Sequence, residues 1–267
     1  MLLRPLLSKD VYSIADAERA SAWERLLLRL KLTLKRASFR PSLLGILFNP
    51  YQIIRAELFK AVRELSQGAC GRVLDVGCGS KPYRELFPHA SSYVGCDVRG
   101  GSHDHALSRV DRYFDGNALP FADASHDWVV SFETLEHVFE PEAMLREFNR
   151  VTRPDGRLLI SVPFCWDEHE IPNDFGRYTS YGLQQVLEKN GFRVVRYIKT
   201  GNYVLALSQL AMAYIAQHLL PRNRYLKLAL NPFVITPLWF IARGLNRILP
   251  HHDELFLNSV VLCRKTA

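Results

Sequence analysis

No C-x-x-C pair occurs among the five cysteines, Cys70, Cys78, Cys96, Cys165 and Cys263. Odd in number and widely scattered, they indicate neither a disulfide framework nor a zinc site, and a reducing cytosol suits them. The sequence contains no internal repeat and no low-complexity tract. Its opening, MLLRPLLSKD, is too short in apolar residues for a secretory h-region and reaches Lys9 and Asp10 at once, so no signal peptide is expected. No RNA-binding module is recognisable, and no nucleic-acid partner is expected. Acid is in deficit: 34 Lys and Arg stand against 27 Asp and Glu, a net charge of +7 that favours an acidic partner. With 48% hydrophobic, 23% charged and 11% aromatic residues, the composition excludes a disordered, collagenous or simple coiled-coil chain. A chain of 267 residues folds without disulfides or metal, burying about 70 to 75% of its unfolded surface.

What is present is an ordered alternation. Residues 1–66 read as a helical extension, with Ile53, Ile54, Leu58, Val62 and Leu65 at helical spacing. Gly68 and Gly71 break that pattern before RVLDVGCG, a short β-branched run entering a tight loop. From there to about residue 200 the segments run strand VLDV, helix near PYRELF, strands SYVGCDV and DWVVSF, helix EAMLREFNRV, strand RLLISVPF, helix SYGLQQVLEKN and strand FRVVRY. Such alternation predicts βαβ units and a parallel sheet. LNSVVLCRK, within 251–267, predicts a last strand that rejoins the sheet, which makes 201–250 an apolar helical insertion.

The strongest chemical signal is Asp75-Val-Gly77-Cys78-Gly79-Ser-Lys81-Pro82, expected between a strand and a helix. Gly77 and Gly79 permit close backbone approach to a ligand. Asp97, 18 residues beyond Gly79 with Val98 at the next strand's end, can accept both hydroxyls of a ribose. A dinucleotide site places a third glycine where Lys81 and Pro82 stand, so no diphosphate is expected. Pro82 suits a first helical turn. Lys81 either meets a ligand carboxylate or is a solvated lysine.

VLDVGCG, YVGCDV, DGNALPF, DWVVSFETLEHV and RVTRPDGRLLISVP, in this order, resemble the class I S-adenosylmethionine-dependent methyltransferases of the type 11 kind. The resemblance covers roughly residues 70–200 and the final strand. It implies an α/β, Rossmann-like sheet with helices on both faces and S-adenosylmethionine as cofactor. By the same resemblance Asp75 and the Gly77-Cys78-Gly79 loop shape the methionine end, with Phe132 lining it. Asp97 holds the ribose, and Asp115 with the Gly116 backbone recognises adenine. Lys81 in place of a third glycine is the departure from the family pattern.

A sulfonium already activates the methyl group, so the protein's tasks are in-line placement of a nucleophile and removal of its proton. Glu136 and His137 follow the strand DWVVSF at the ligand end of the sheet, and His137 is the first candidate base, or else a structural histidine. Glu168-His169-Glu170-Ile-Pro172-Asn-Asp174-Phe-Gly-Arg177-Tyr178-Thr179 resembles the H-x-x-P-x-D-x-x-R-Y-T stretch of bacterial methyltransferases of surface-glycan and lipid pathways. There His169 is a second candidate base, while Asp174, Arg177 and Tyr178 are acceptor-side candidates. Alternatively Asp174 and Arg177 are an ion pair and Thr179 caps a helix.

Thr200–Pro221 is 22 residues without a formal charge, and Leu228–Ala242 is a second such run. Asn202, Ser208, Gln209, Gln217 and His218 dilute the first, and Pro232 and Pro237 interrupt the second. Trp239, with Arg222, Arg243 and Arg247 flanking, predicts helices lying in a bilayer interface; a pocket lid or a dimer face are the alternatives. The basic, leucine-rich stretch WERLLLRLKLTLKRASFR points the same way, to anionic lipid.

Together these features predict a cytoplasmic methyltransferase, peripheral at the inner face of the membrane, that binds no metal. It is expected to methylate an oxygen of a sugar or lipid-linked glycan. A quinone-type or other lipophilic small molecule is the alternative acceptor, and a non-catalytic scaffold retaining the cofactor fold is the alternative of a different class.

Overall fold

The strand segments alternate in burial on two sides, and this sets the layers. In the computed structural model, which describes residues 39–99 and 108–266, seven strands form one sheet. They are β1 (Cys70–Val76), β2 (His89–Val98), β3 (Arg112–Phe114), β4 (His126–Phe132), β5 (Thr152–Pro163), β6 (Phe192–Thr200) and β7 (Asn258–Lys265). Their order is β3-β2-β1-β4-β5-β7-β6, with β7 antiparallel to both neighbours and the other pairs parallel. Leu74, Val76, Val129, Leu158 and Ile160 point to one side, where α3 (Pro141–Val151) and α4 (Ser180–Lys189) supply Leu145, Phe148, Leu183 and Leu187. Val73, Trp128, Val130, Phe132 and Leu159 point to the other, against Leu58, Val62 and Leu65 of α2 (Gln52–Leu65). Period-2 strands covered on both faces are what helices on two sides of a sheet require.

The glycine-rich turn follows β1, but no helix follows the turn: only a 3-10 turn, Arg84–Leu86, stands where PYRELF predicts a helix. Pro82 accordingly lies outside any helical turn. The short strand β3 was not among the sequence expectations. The other departure is at Lys81, which adopts φ 54°, the left-handed backbone that glycine favours. Its side chain is buried, ion-paired with Asp111, and its stem runs where a Cβ on Gly95 would sit. Lys81 is therefore neither solvated nor presented to a ligand.

A helical layer covers the remaining end. It consists of α1 (Leu43–Phe48), α5 (Tyr203–Tyr214), a π turn at Ile215–Leu219, and α6 (Arg224–Ile248), which runs unbroken through Pro232 and Pro237. The polar residues of the apolar runs tie this layer down. Gln209, fully buried, accepts from Ile54 N at 3.1 Å and donates to Pro50 O at 3.0 Å, while Asn202 caps α5. Asn231 and Thr236 of α6 donate to the carbonyls of Phe48 and Ile46 at 3.0 and 3.1 Å. The stretch up to residue 38 lies outside the described residues; the last basic residue of that segment, Arg40, pairs with Glu85.

Candidate active site

Parallel strands end together, and at their carboxyl ends two cavities adjoin. The first, about 730 Å³, is lined by Val76, Gly77, Asp97, Val98, Gly116 and Asn117, with an apolar wall that includes Phe114, Val138, Met144 and Phe175. The second, about 450 Å³, is lined by Asp75, Gly77, Cys78, Gly79, Tyr83 and Phe132 on one side. Its other side carries Tyr51, Arg55, Trp166 and His169. Gly77, Glu133, His137 and Glu170 border both.

Asp97 is bound into the glycine turn. Its Oδ2 accepts from Gly79 N at 3.0 Å and its Oδ1 from Val98 N at 2.9 Å, which leaves a further lone pair on each oxygen. Gly77, at φ 71°, admits no side chain, since a Cβ would lie 2.3 Å from Thr134 Oγ1. A Cβ on Gly79 would meet nothing within 4 Å, so that face of the loop is open. A carboxylate with spare lone pairs beside an open glycine backbone fits a ribose, and the apolar wall fits a flat base. These residues therefore fit the nucleoside half of S-adenosylmethionine.

One expectation moves by a residue. Asp115 does not line either cavity. It is exposed, and its carboxylate accepts from Asn117 N at 2.9 Å and Ala118 N at 3.3 Å within its own turn, hydrogen bonds that lower its pKa. Gly116 and Asn117 face the cavity instead. Phe132 is the last residue of β4, edge-on to Tyr83 at 4.8 Å between ring centres.

Asp75 is buried and accepts from the Tyr93 hydroxyl at 2.7 Å; burial pushes its carboxyl up to about 7. At the methionine end the cation that lines the cavity is Arg55, from α2, whose guanidinium lies 4.4 Å from the centre of the Phe39 ring. Sequence reasoning missed it, and also missed Glu133. Glu133 stands at φ 51° just past β4, with its carboxylate accepting from Ser161 Oγ and Asn258 Nδ2, each at 2.7 Å. The available signals were weak: Arg55 lies among the apolar positions of α2, and Glu133 is three residues before Glu136.

His137 and His169, 32 positions apart in sequence, meet edge to face with ring centres 4.8 Å apart. His137 Nδ1 lies 2.6 Å from the carbonyl oxygen of Asn173, which makes Nδ1 the N–H donor. Nε2 is then the lone-pair nitrogen, 3.7 Å from Glu136 and 4.0 Å from Glu170. Asp174 accepts from His169 N at 2.9 Å, lies 3.2 Å from His169 Nδ1, and takes a two-pronged bond from Arg177 at 2.6 and 2.7 Å. The Arg177 bond holds the Asp174 carboxyl far below its usual range against the opposing effect of burial. Asp174, Arg177 and Tyr178 thus do not line the cleft: the first two brace His169, and Tyr178 packs against the sheet core.

Residues 74–160 match the family model described as a methyltransferase domain. Curated relatives include an O-methyltransferase, resE, of Aspergillus sclerotiorum, 30% identical over 50% of this chain and 59% of its own length. A probable S-adenosylmethionine-dependent methyltransferase of Mycolicibacterium smegmatis is 30% identical over 53% of this chain and 55% of its own length. The chain spans little more than half the length of these relatives. Among solved structures, the [4+2]-cyclase SpnF superposes with a TM-score of 0.51 at 19% identity, covering 79% of this chain and 80% of that one. At that identity the likeness speaks for the architecture alone. The seven-stranded sheet with its antiparallel β7, the glycine turn braced by Asp97 and the methyltransferase-domain match over residues 74–160 make this chain similar to the S-adenosylmethionine-dependent methyltransferases.

Proposed function

We propose that this protein methylates an oxygen of a sugar or lipid-linked glycan with S-adenosylmethionine as donor. The observation that carries the reading is that the Asp97-braced nucleoside cavity and the His137–His169 pair share a border. When bound, the cofactor supplies a methyl group already activated on a sulfonium. Asp97 and the Gly77–Gly79 turn hold its ribose, Arg55 faces its carboxylate end, and Asp75 faces its ammonium. His137 Nε2 presents a lone pair at the cleft, where an acceptor hydroxyl can hand over its proton. Preformed geometry does the rest, because positioning alone accounts for much of the barrier in such transfers. Intact Gly77, Gly79 and Asp97 weigh against a scaffold that has lost its chemistry. A lipophilic small molecule of quinone type is the second reading, supported by Tyr51, Ile54, Leu58 and Trp166 along the cleft.

Two measurements test this. Asp97→Ala removes a charged acceptor and should weaken S-adenosylmethionine binding by about 2 to 4 kcal/mol in calorimetry. Unchanged affinity would overturn the cofactor assignment. Incubation with methyl-labelled cofactor and a panel of sugars, polyprenyl-linked sugars and quinols should place label on a glycan oxygen; label on the quinols alone would decide for the second reading.

We also propose that the protein rests on an anionic membrane surface at its cytoplasmic side, through the outer face of α1, α5 and α6. Leu43, Phe233 and Ile248 are 80%, 78% and 81% exposed there, and Leu207, Tyr214, Phe240 and Leu249 lie on the same layer. By length and composition Tyr225–Ile248 is apolar enough to cross a membrane. Its buried polar ties to α1 through Asn231 and Thr236 favour a helix that lies on the surface while one side stays docked.

A further inference from the structure

Glu136 has no ordinary role in the cleft. Its side chain is fully buried, and among the described residues neither carboxylate oxygen has a hydrogen-bond partner. An unmet buried carboxylate is costly enough that native proteins pair it or place it on a cation. Two imidazoles stand against it. One ligand atom from each of Glu136, His137 and His169 lies within 4.8 Å of the others. Nδ1 of His137 is given to the Asn173 carbonyl, so its Nε2 keeps the lone pair, while Nδ1 of His169 is held on its outer side among the Asp174 carboxylate, the Asp167 carbonyl and the Arg177 guanidinium. Outer carbonyl and carboxylate partners of this kind orient metal-ligating histidines.

We propose that Glu136, His137 and His169 bind a divalent first-row metal ion, of the manganese to zinc series, and that this ion holds the acceptor's hydroxyl oxygen. Two imidazoles and one carboxylate suit that series better than magnesium or calcium, and three protein ligands leave open positions toward the cleft. Ligand atoms on one ion lie about 3 to 4 Å apart at bond lengths near 2.1 Å, so small side-chain rotations close the site. The His137 lone pair then serves the ion instead of taking a proton directly. A hydroxyl bound to the ion is acidified: its O–H bond breaks, the electron pair stays on oxygen, and the proton leaves to solvent through the open cleft. That oxygen forms the new bond to the methyl carbon as the carbon–sulfur bond breaks and its electron pair returns to sulfur. The use of the ion in methyl transfer rests on the methyltransferase reading; the binding of the ion does not.

The test uses the full chain, treated with a chelator and then titrated with CoCl2, followed by visible absorption and calorimetry. One cobalt ion per chain should bind with ligand-field bands. Glu136→Gln, His137→Ala and His169→Ala should each weaken it by about 10-fold or more, with S-adenosylmethionine affinity retained. Thermal unfolding confirms that each variant is folded, and His169→Gln replaces any that is not. No saturable binding up to millimolar cobalt, or a site that survives in all three variants, would overturn the proposal while leaving the cofactor reading intact. Binding of cobalt at these residues with no binding of S-adenosylmethionine would uphold the metal site and overturn the methyltransferase reading.

Discussion

Asp75 shows how a single residue couples the site to stability. Its carboxyl is raised to about 7 by burial, the Tyr93 hydrogen bond and Lys81 opposing the rise, whereas an unfolded aspartate titrates near 3.9. Between those values the unfolded chain has lost the proton that the folded chain retains. Stability contributed by this group is thus present in full below pH about 4 and is lost as the pH rises to about 7, on the order of 4 kcal/mol in all. Asp75→Asn keeps an acceptor for the Tyr93 hydroxyl and removes the ionisation. Without cofactor, the variant should match the parent in urea unfolding at pH 4 and exceed it at pH 8. A difference independent of pH would show that Asp75 ionises normally. At this scale much of the site was legible. Asp75, Gly77, Gly79 and Asp97 announce themselves by lying beside a strand at a spacing that a nucleoside needs. Arg55, Glu133 and the Lys81–Asp111 pair do not, because each acquires its role from a partner in a distant segment: Arg55 from a cleft wall, Glu133 from Ser161 and Asn258, Lys81 from Asp111. The same holds for the three metal-ligand candidates. Cysteine spacing led the sequence reading to expect no metal, and only the fold brings residue 169 to residues 136 and 137.

Among the elements, periodicity identified the strands whose apolar alternation is strong, and failed where a segment is short or committed to a turn. PYRELF contains residues suited to a helix, yet Tyr83 and Phe87 are drawn into the core beneath α2, and three residues of 3-10 turn are what remain. The helical insertion shows the opposite error of emphasis. Gln209 looks in the sequence like a blemish in an apolar run, whereas in the fold it substitutes for the missing side-chain cap of α2: the residue at that cap, Tyr51, makes no capping bond, and Gln209 meets the buried first-turn N–H of Ile54 from another helix. Gln209→Ala leaves that N–H and the Pro50 carbonyl unmet in a buried place. The loss should be about 2 to 4 kcal/mol in urea unfolding. Hydrogen exchange should rise first in the amides of residues 52–55, and unchanged exchange there would show that water replaces the amide without cost.

For the whole molecule the open matter is what its apolar outer layer meets. Trp239 and Arg243, read in the sequence as interface anchors, turn inward. Trp239 packs against the helical core, and Arg243 bonds Glu57 at 2.6 Å while lying over the Trp239 ring. The outward set is instead aliphatic with Phe233 and Phe240 and the tyrosines Tyr203, Tyr214 and Tyr225, and Arg222 and Arg247 are exposed near it. Apolar side chains entering a bilayer gain about 1.5 to 3 kcal/mol each when fully buried. Each basic residue at an anionic surface adds about 1 kcal/mol that salt screens away. A surface-bound protein should therefore float with liposomes containing acidic lipid at low salt and be released in large part as salt is raised. Phe233→Ser with Phe240→Ser should abolish flotation and leave S-adenosylmethionine binding unchanged, since neither side chain lines the cleft. A spanning α6 would resist both salt and alkaline carbonate and need detergent for release. That outcome requires the Asn231 and Thr236 bonds to α1 to break or to enter the bilayer with it, at a cost of a few kcal/mol for unmet polar groups. If the protein fails to float with acidic lipid at low salt, the membrane proposal falls. A shift to dimer in sedimentation, lost in the double serine variant, would then identify the layer as a face between two copies of the chain.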